Sequence, residues 1–164
     1  MDIKSYESKY AKEISAIILS NLYEITIKDH GKEVVDRIAK NFTDDEIKKN
    51  FPSRVKCFVA VENGKVLGTA SIDNIKTMYG IDVENEKDRY IILTVFVKLD
   101  RQKQGIGRAL IKKIEEYAIL INAKELLILA SVYGCEFYRK LGYDFYNGVQ
   151  TQNKDGEYIL SKVL

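Results

Sequence analysis

The chain has 164 residues, of which 46% are hydrophobic and 30% charged, an ordinary balance for one compact globular domain. Its 26 basic and 24 acidic side chains leave a formal net charge of +2, which argues against a dedicated nucleic-acid binder, because such proteins carry a strong basic excess. No apolar run approaches the ~20 residues that span a membrane, and the N-terminus lacks the basic-then-apolar order of a signal peptide. We therefore expect a single cytoplasmic domain over residues 1–164, with no membrane partner.

The cysteines and the histidine give no sign of a metal site. Cys57 and Cys135 are far apart and have no metal-type spacing, so we expect two free thiols in a reducing compartment. His30 is the only histidine, and no Cys/His cluster can be assembled from it. A site made of carboxylates alone is left open, although nothing in the sequence points to one.

The first third of the chain has a helical pattern. Apolar residues at helical spacing predict a helix over residues 7–23, and a second helix is expected at about residues 31–41. The segment Thr43-Asp44-Asp45-Glu46 has the pattern of a capping box, which predicts the start of a short third helix.

Strand patterns follow from residue 55. An alternating apolar run over residues 55–61 predicts a strand, and Asn63-Gly64 predicts a tight hairpin turn, because both residues tolerate positive φ. The return strand is expected to run from residue 65 to about 75. The polar segment at residues 76–89, which carries four carboxylates, is expected to be a loop.

The next segment predicts a parallel pair of strands. The nearly continuous apolar run at residues 90–97 is typical of a strand buried on both faces. After a short basic and polar loop at residues 98–104 comes an amphipathic helix, and then another apolar strand at residues 125–130. A strand, a helix and a second buried strand form a βαβ unit, so the two strands are expected to be parallel.

The C-terminal part predicts a helix and a hairpin. A short helix over about residues 133–141 should end at Gly142, a typical residue after a helix C-terminus. Residues 143–149 and 157–163 are expected to form a second hairpin.

The most informative segment lies between the first buried strand and the amphipathic helix. Free N–H groups at a helix start and the helix dipole favour an anion, and glycines at 105 and 107 remove Cβ atoms that would keep a pyrophosphate away. A P-loop fits poorly because Gly-Lys-Ser/Thr is absent, and a dinucleotide fingerprint fits poorly because Leu110 stands where its third Gly or Ala is needed. The alternative for the turn by itself is two glycines in an ordinary loop. The segment is Gln102-Lys103-Gln104-Gly105-Ile106-Gly107-Arg108, and Lys98, Arg101, Lys103 and Arg108 add positive charge around it.

These residues resemble a known family. Gln102-x-x-Gly105-x-Gly107 is similar to the Arg/Gln-x-x-Gly-x-Gly/Ala motif of the GNAT superfamily of acyl-CoA N-acyltransferases. The segment Phe137-Tyr138-Arg139-Lys140-Leu141-Gly142-Tyr143 resembles its Phe-Tyr-x-x-x-Gly-Phe signature, in the family's order and spacing. The resemblance covers about residue 55 to the C-terminus. It implies an α/β (α+β) fold with a mixed, largely antiparallel central sheet flanked by helices and a parallel βαβ unit at the acyl-CoA site.

The resemblance also implies a chemistry. The acyl thioester would lie where the strands that end at Val97 and Ala130 separate. Backbone groups of Val95, Phe96 and Val97 would bind the pantetheine and polarise the thioester carbonyl, and the turn from Gln102 to Arg108 would bind the pyrophosphate. Tyr138 matches the tyrosine that protonates the departing thiolate, a role that suits a phenol with an ordinary pKa of ~10.

The chain departs from the family pattern at two positions. Ser131 stands where relatives often have an asparagine that contacts the cofactor, and its shorter reach leaves that contact open. The strand at residues 90–97 lacks the glutamate that serves many relatives as base. Glu62, Asp73 and His30 are better explained as surface residues, so no base is assigned. Cys135, on the helix that carries Tyr138, is expected to be a buried structural thiol.

The sequence therefore predicts an acetyl-CoA-dependent N-acetyltransferase that acts on a small amine or a protein amine, with acetyl-CoA as cosubstrate and no metal. The alternatives are a non-catalytic acyl-CoA sensor or partner-binding module on the same fold, and an interaction domain that binds no CoA. By family analogy the acceptor pocket would be lined by residues 23–51 and 147–156. No nucleic-acid partner is expected, and a homodimer is compatible with the sequence although no seam for it is visible.

Overall fold

The computed structural model describes residues 1–81, 83–84 and 86–164. Along these residues a short strand and three helices come first, and six further strands with two further helices follow. They are strand β1 (Asp2–Ser5), helices α1 (Ala11–Asn21), α2 (Ile27–Ala39) and α3 (Asp44–Asn50), strands β2 (Lys56–Glu62), β3 (Lys65–Asn74) and β4 (Arg89–Val97), helix α4 (Ile106–Leu120), strand β5 (Glu125–Ser131), helix α5 (Val132–Arg139), and strands β6 (Asp144–Phe145) and β7 (Glu157–Val163).

The strands form one mixed sheet in the order β1-β2-β3-β4-β5-β7-β6. Strands β4 and β5 are parallel, with a register that runs from Arg89 opposite Glu125 to Ile92 opposite Ile128. The pairs β1–β2, β5–β7 and β6–β7 are antiparallel. A largely antiparallel sheet with one parallel pair, flanked by helices, confirms the fold class predicted from the sequence.

The hairpin turn between β2 and β3 forms where the sequence predicts it. Asn63 and Gly64 both have left-handed backbones, with φ of 50° and 74°. Two consecutive positive φ values match the right-handed twist of the flanking strands, which is why Asn-Gly suits this position. The later hairpin is confirmed in part: Asp144 pairs with Ser161 and Phe145 with Leu160, but its first strand has only these two residues, and Tyr146–Gly148 form a 3-10 turn.

Strand β1 is missing from the sequence prediction, which treated the chain start as helical. The strand pairs with β2 from Asp2 opposite Val61 to Ser5 opposite Phe58. Ile3 is its only residue that is not exposed. The side chains of this four-residue edge strand are almost all exposed, and it is held by backbone pairing to β2. It therefore needs no apolar alternation, and the sequence shows none.

The N-terminal helices agree with the prediction except in detail. Helix α2 begins earlier than expected and is broken at Gly31, where φ is 76°. At the start of α3, Thr43 Oγ1 accepts from the Glu46 N–H over 3.3 Å, as in a capping box. The Glu46 carboxylate instead accepts from Asn50 Nδ2 over 2.9 Å, so only half of the predicted box forms.

Strand β4 is less buried than predicted. Ile91 and Ile92 are 0% and 1% exposed, but residues 93–97 are only half-buried. Within this half-buried part, Thr94 has a left-handed backbone with φ of 51°. That conformation is a genuine outlier for a β-branched residue and interrupts the regular alternation of side chains along the strand. The prediction of burial on both faces is therefore wrong beyond Ile92.

The residues divide into two compact units, residues 1–71 with 94–114 and residues 72–93 with 115–164. Residues of α1, α3 and β2 build the core of the first unit, around Ile14, Ile18, Ile47 and Val59. The second has a core around Ile75, Ile81, Ile91 and Leu127. The single domain over residues 1–164 stays a prediction. Among the helices that the structure describes, none is long and apolar enough to cross a bilayer.

Candidate acyl-CoA site

The turn that leads into α4 presents unused N–H groups. Lys103 and Gly105 have left-handed backbones, with φ of 60° and 83°, and turn the chain sharply before the helix. The Ala109 N–H donates to the Gly105 carbonyl over 3.0 Å, the first α-helical bond of α4. The N–H groups of Ile106, Gly107 and Arg108 come before that bond and have no helical acceptor, so they are available to an anion.

Gly105 is required by its backbone conformation. It is exposed, and a Cβ at this position would meet no atom within 4 Å. With φ at 83°, however, any other residue would be strained there. The same openness leaves the helix start accessible to a phosphate. Gly107 is half-buried in the first turn of α4.

Two of the four basic residues around this turn already have carboxylate partners. Lys98 Nζ lies 3.2 Å from Asp100, and Arg101 donates to Glu62 over 2.8 Å. Lys103 and Arg108 are exposed, and within the described ranges neither forms an ion pair. Two uncompensated cations beside three free N–H groups fit a pyrophosphate, which carries negative charge on closely spaced oxygens.

The side chain of Gln102, the first residue of the motif, stabilises this turn through hydrogen bonds. Gln102 Nε2 donates to Asn21 Oδ1 over 3.0 Å and lies 3.4 Å from the Val97 carbonyl oxygen. The side-chain amide is thus engaged with α1 and with the end of β4. A contact of Gln102 with a bound cofactor would therefore come from its backbone or from Oε1.

Asn21 is a residue that the sequence prediction missed. It is 5% exposed at the end of α1, and its Nδ2 donates to the carbonyls of Ile17 over 2.8 Å and Val97 over 3.0 Å. Asn21 lies seven residues after Ile14, on the buried face of the helix. A polar side chain on a buried helix face needs a hydrogen-bond partner. An asparagine at this spacing in the sequence is therefore the signal from which the contact could have been predicted.

The strand end predicted to hold pantetheine is closely packed from one side. Val95, Phe96 and Val97 are half-buried, and the Phe96 ring packs against the core of its unit. A Cβ at Gly68 of β3 would lie 2.8 Å from the Phe96 carbonyl oxygen, so only glycine allows this approach. The Val97 carbonyl is engaged by Asn21.

Tyr138, the predicted acid, is in the second unit. It is 8% exposed near the end of α5, and its ring packs edge-on against Phe137 and Tyr143 at centroid distances of 4.9 Å and 6.2 Å. Gly134 makes room for the ring, since a Cβ there would lie 3.3 Å from Tyr138 Cε2. Burial raises the pKa of Tyr138 far above that of an ordinary tyrosine, which keeps the phenol protonated.

Ser131, the last residue of β5, directly precedes the same helix. Its Oγ accepts from the Gly134 N–H over 3.1 Å, as an N-cap does. The hydroxyl hydrogen is not used by that bond, so Ser131 keeps one donor for a cofactor.

Cys135 is half-buried and lines an open groove of about 610 Å³ beside α5, so the prediction of a buried thiol is wrong for this residue. Cys57 is buried, and neither cysteine is in a disulfide.

None of the base candidates stands out. Hydrogen bonding from Arg101 lowers the pKa of Glu62, which makes it a weaker base. Asp73 was expected at the surface, but it is 1% exposed and accepts from Lys76 Nζ over 2.6 Å and Tyr79 Oη over 2.5 Å. The surface prediction for Asp73 is therefore wrong, because these two donors and the Asn74 N–H allow the carboxylate to be buried. His30 is half-buried beside the kink at Gly31.

The comparisons with known proteins show the family to which the chain belongs. The family described as the acetyltransferase (GNAT) family matches residues 19–143. That match covers most of the chain, so the protein belongs to the GNAT acetyltransferase family, a family of transferases. No curated protein matches the chain.

Solved structures with the same fold come from several organisms. The PaiA N-acetyltransferase of Thermoplasma acidophilum, in complex with coenzyme A, has a TM-score of 0.77 at 12% identity over 100% of both chains. A GCN5-related N-acetyltransferase of Rhodopseudomonas palustris has 0.75 at 20% identity, over 99% of this chain and 95% of that one. A GNAT acetyltransferase of Brucella melitensis, in complex with acetyl-CoA, has 0.65 at 21% identity, over 99% and 86%.

Proposed function

We propose that this protein is an acetyl-CoA-dependent N-acetyltransferase, in which a primary amine attacks the thioester carbonyl directly and the CoA thiolate leaves. The observation that carries the proposal is the start of α4, where three N–H groups without helical acceptors lie beside Lys103 and Arg108. This arrangement suits a pyrophosphate, and coenzyme A is bound in the structure of the Thermoplasma relative.

The residues have distinct roles in this proposal. The segment from Gln102 to Arg108 holds the pyrophosphate, and the backbone of Val95, Phe96 and Val97 holds the pantetheine. Tyr138 donates its phenolic proton to the departing thiolate, and Ser131 donates a hydrogen bond to the cofactor. The place of Tyr138 in the motif supports its part, and burial keeps the phenol protonated, although the raised pKa also makes it a weaker acid than an ordinary tyrosine.

The wider biology follows from the same proposal. The acceptor is a small amine or a protein amine, and the protein acts in the cytoplasm, where its two unbridged cysteines suit a reducing compartment. The near-neutral formal charge of +2 supports a partner other than nucleic acid.

A free-thiol assay with acetyl-CoA against polyamines, amino acids, aminoglycosides and peptide N-termini tests the reaction. A thermal-shift measurement tests the cofactor separately. A ligand present at 100 times its Kd adds about 2.7 kcal/mol to the free energy of unfolding, so CoA should raise the Tm while NAD should not. Tight CoA binding without any thiol release would favour the non-catalytic sensor. A folded protein that gives no shift with millimolar CoA would contradict both.

A further inference from the structure

An arginine with an unusual set of partners lies just before β2. Arg54 Nη1 donates to Ser71 Oγ over 2.6 Å and to Thr94 Oγ1 over 2.7 Å. The two hydroxyl oxygens are themselves 2.8 Å apart. Ser71 comes from β3 and Thr94 from β4, so the guanidinium joins two strands of the first unit.

The guanidinium is held rigidly. Its central carbon lies 4.3 Å from the centroid of the Phe51 ring, and Phe51 is 2% exposed. Stacking on a buried ring and two hydrogen bonds from one nitrogen leave the plane little freedom to rotate. A group that is already immobile loses little entropy when it binds a ligand.

Arg54 nevertheless has no anionic partner within the described ranges. Arg89, Arg101 and Arg139 each lie within 3.4 Å of a carboxylate, namely that of Glu125, Glu62 or Asp144. Arg54 is half-buried, where a positive charge without a counter-ion is costly. Its hydrogen bonds to side chains use Nη1, and the edge formed by Nε and Nη2 is the fork that binds a carboxylate through two parallel bonds.

The position of Thr94 links this arginine to the proposed reaction. Thr94 directly precedes Val95, Phe96 and Val97, the segment assigned to pantetheine. Its left-handed φ of 51° is unfavourable for a β-branched residue, and such strain concentrates at functional sites. An anion bound at Arg54 would thus lie beside the strand that carries the acyl group.

We propose that Arg54 binds the carboxylate of the acceptor, which makes the acceptor an amino acid or another amine that carries a carboxylate. The arginine fork matches both carboxylate and phosphate geometry, but a single guanidinium balances the charge of a carboxylate and leaves much of a phosphate dianion's charge unbalanced. The inference rests on the proposed acetyl transfer and names the substrate class for it.

The experiment compares amine pairs that differ only in the carboxylate. The pairs are glycine and methylamine, 4-aminobutyrate and propylamine, lysine and cadaverine, and phenylalanine and phenethylamine. In the wild type we expect kcat/KM for at least one carboxylate member to exceed that of its partner by about 30- to 1,000-fold, the usual worth of a desolvated charge pair. Arg54→Gln should lower kcat/KM far more for the carboxylate member of a pair than for the simple amine and so abolish this preference, and Arg54→Lys should restore part of it.

A control variant and a binding measurement keep the result unambiguous. Lys12→Gln removes an exposed positive charge from α1 and should keep the wild-type preference. Calorimetry with the same pairs in the presence of CoA needs no turnover, so carboxylate binding that depends on Arg54 would support this site even if no acetyl transfer occurs. Calorimetry on the wild type also shows whether the carboxylate member of each pair binds more tightly, even if Arg54→Gln fails to fold. No carboxylate preference in the wild type, an equal loss for both members of a pair in Arg54→Gln, a preference for phosphoethanolamine, or weaker CoA binding in Arg54→Lys would each overturn the proposal.

Discussion

The side-chain amide of Gln102 donates to Oδ1 of Asn21 over 3.0 Å, which fastens the turn before α4 to the last residue of α1. Asn21 in turn donates to the Val97 carbonyl over 3.0 Å, so one buried amide connects the turn and the end of β4. The first position of the proposed phosphate-binding motif therefore has a structural role besides any contact with the cofactor.

Asn21→Ala tests this connection. The change removes the donor to Val97 and leaves the Gln102 amide with only its 3.4 Å contact to the same carbonyl. We expect a loss of about 1–3 kcal/mol in the free energy of unfolding, measured in urea, and weaker CoA binding by calorimetry. Ser20→Ala is the matched control, because the Ser20 hydroxyl bonds only to carbonyls of its own helix, those of Ala16 and Ile17. If Asn21→Ala and Ser20→Ala had the same stability and the same CoA affinity, the hydrogen bonds of Asn21 would not stabilise the turn.

Gly107→Val tests the pyrophosphate position. A branched side chain in the first turn of α4 should block an anion that approaches the N–H groups there, so CoA affinity should fall while the fold survives. Helix propensity alone accounts for well under 1 kcal/mol of stability. Lys112→Val, on the exposed side of the same helix, adds the same branched side chain to α4 without touching the turn, so its CoA affinity should stay that of the wild type. If both variants bind CoA as the wild type does by calorimetry, the pyrophosphate binds elsewhere.

Gly68→Ala tests the close approach of β3 to β4. The added Cβ would lie 2.8 Å from the Phe96 carbonyl oxygen and 3.2 Å from Leu110 Cδ1, so the β4 backbone must shift. We expect a destabilisation of about 1–3 kcal/mol in urea unfolding, as for other overpacked sites, together with weaker CoA binding. Gly64→Asn is a suitable control, since Gly64 has a positive φ that asparagine tolerates and open space around it. If Gly68→Ala were as stable as the wild type, the backbone of β4 could shift without cost and the close approach would not require glycine.

Tyr138→Phe separates an enzyme from a sensor. Phenylalanine keeps the packing against Phe137 and Tyr143 but removes the proton donor. General acid catalysis contributes about 10²–10⁴-fold, and a thiolate can leave unaided, so kcat should fall near the lower figure with CoA affinity unchanged. Tyr143→Phe removes a phenol that instead hydrogen-bonds Glu115 over 3.0 Å, and should affect stability more than kcat. An unchanged kcat in Tyr138→Phe would remove this residue from the mechanism.

The raised pKa of Tyr138 also predicts a pH effect on stability. Above pH ~10 the unfolded chain releases the phenolic proton while the folded chain retains it, so the free energy of unfolding falls as pH rises towards the folded-state pKa. Each such tyrosine contributes a slope of about 1.4 kcal/mol per pH unit. Urea unfolding between pH 9 and 11 should therefore show a shallower decline in Tyr138→Phe than in the wild type. Parallel curves would mean that the phenol ionises in the folded protein as it does in the unfolded chain.

Local sequence patterns predicted most of the strands and helices. The Asn63-Gly64 turn and the apolar run at β5 depend on backbone preference and periodicity, which act over a few residues. Strand β1 was not predicted because its pairing with β2 joins residues almost 60 positions apart and gives no local sequence pattern. Asp73 was assigned to the surface because the sequence does not show that Lys76 and Tyr79 turn back onto it.

The sequence by itself determined the strand–turn–helix that carries the candidate phosphate site, because glycine conformations, helix N–H groups and nearby basic residues are properties of one short segment. Only the tertiary structure decided that Arg101 is compensated, since its partner Glu62 is far away along the chain, and that the Gln102 amide is held by Asn21. It also placed Arg54 beside Ser71 and Thr94 without a carboxylate within the described ranges. Charge pairing and burial depend on distances through space, which a chain acquires only when its strands and helices pack together.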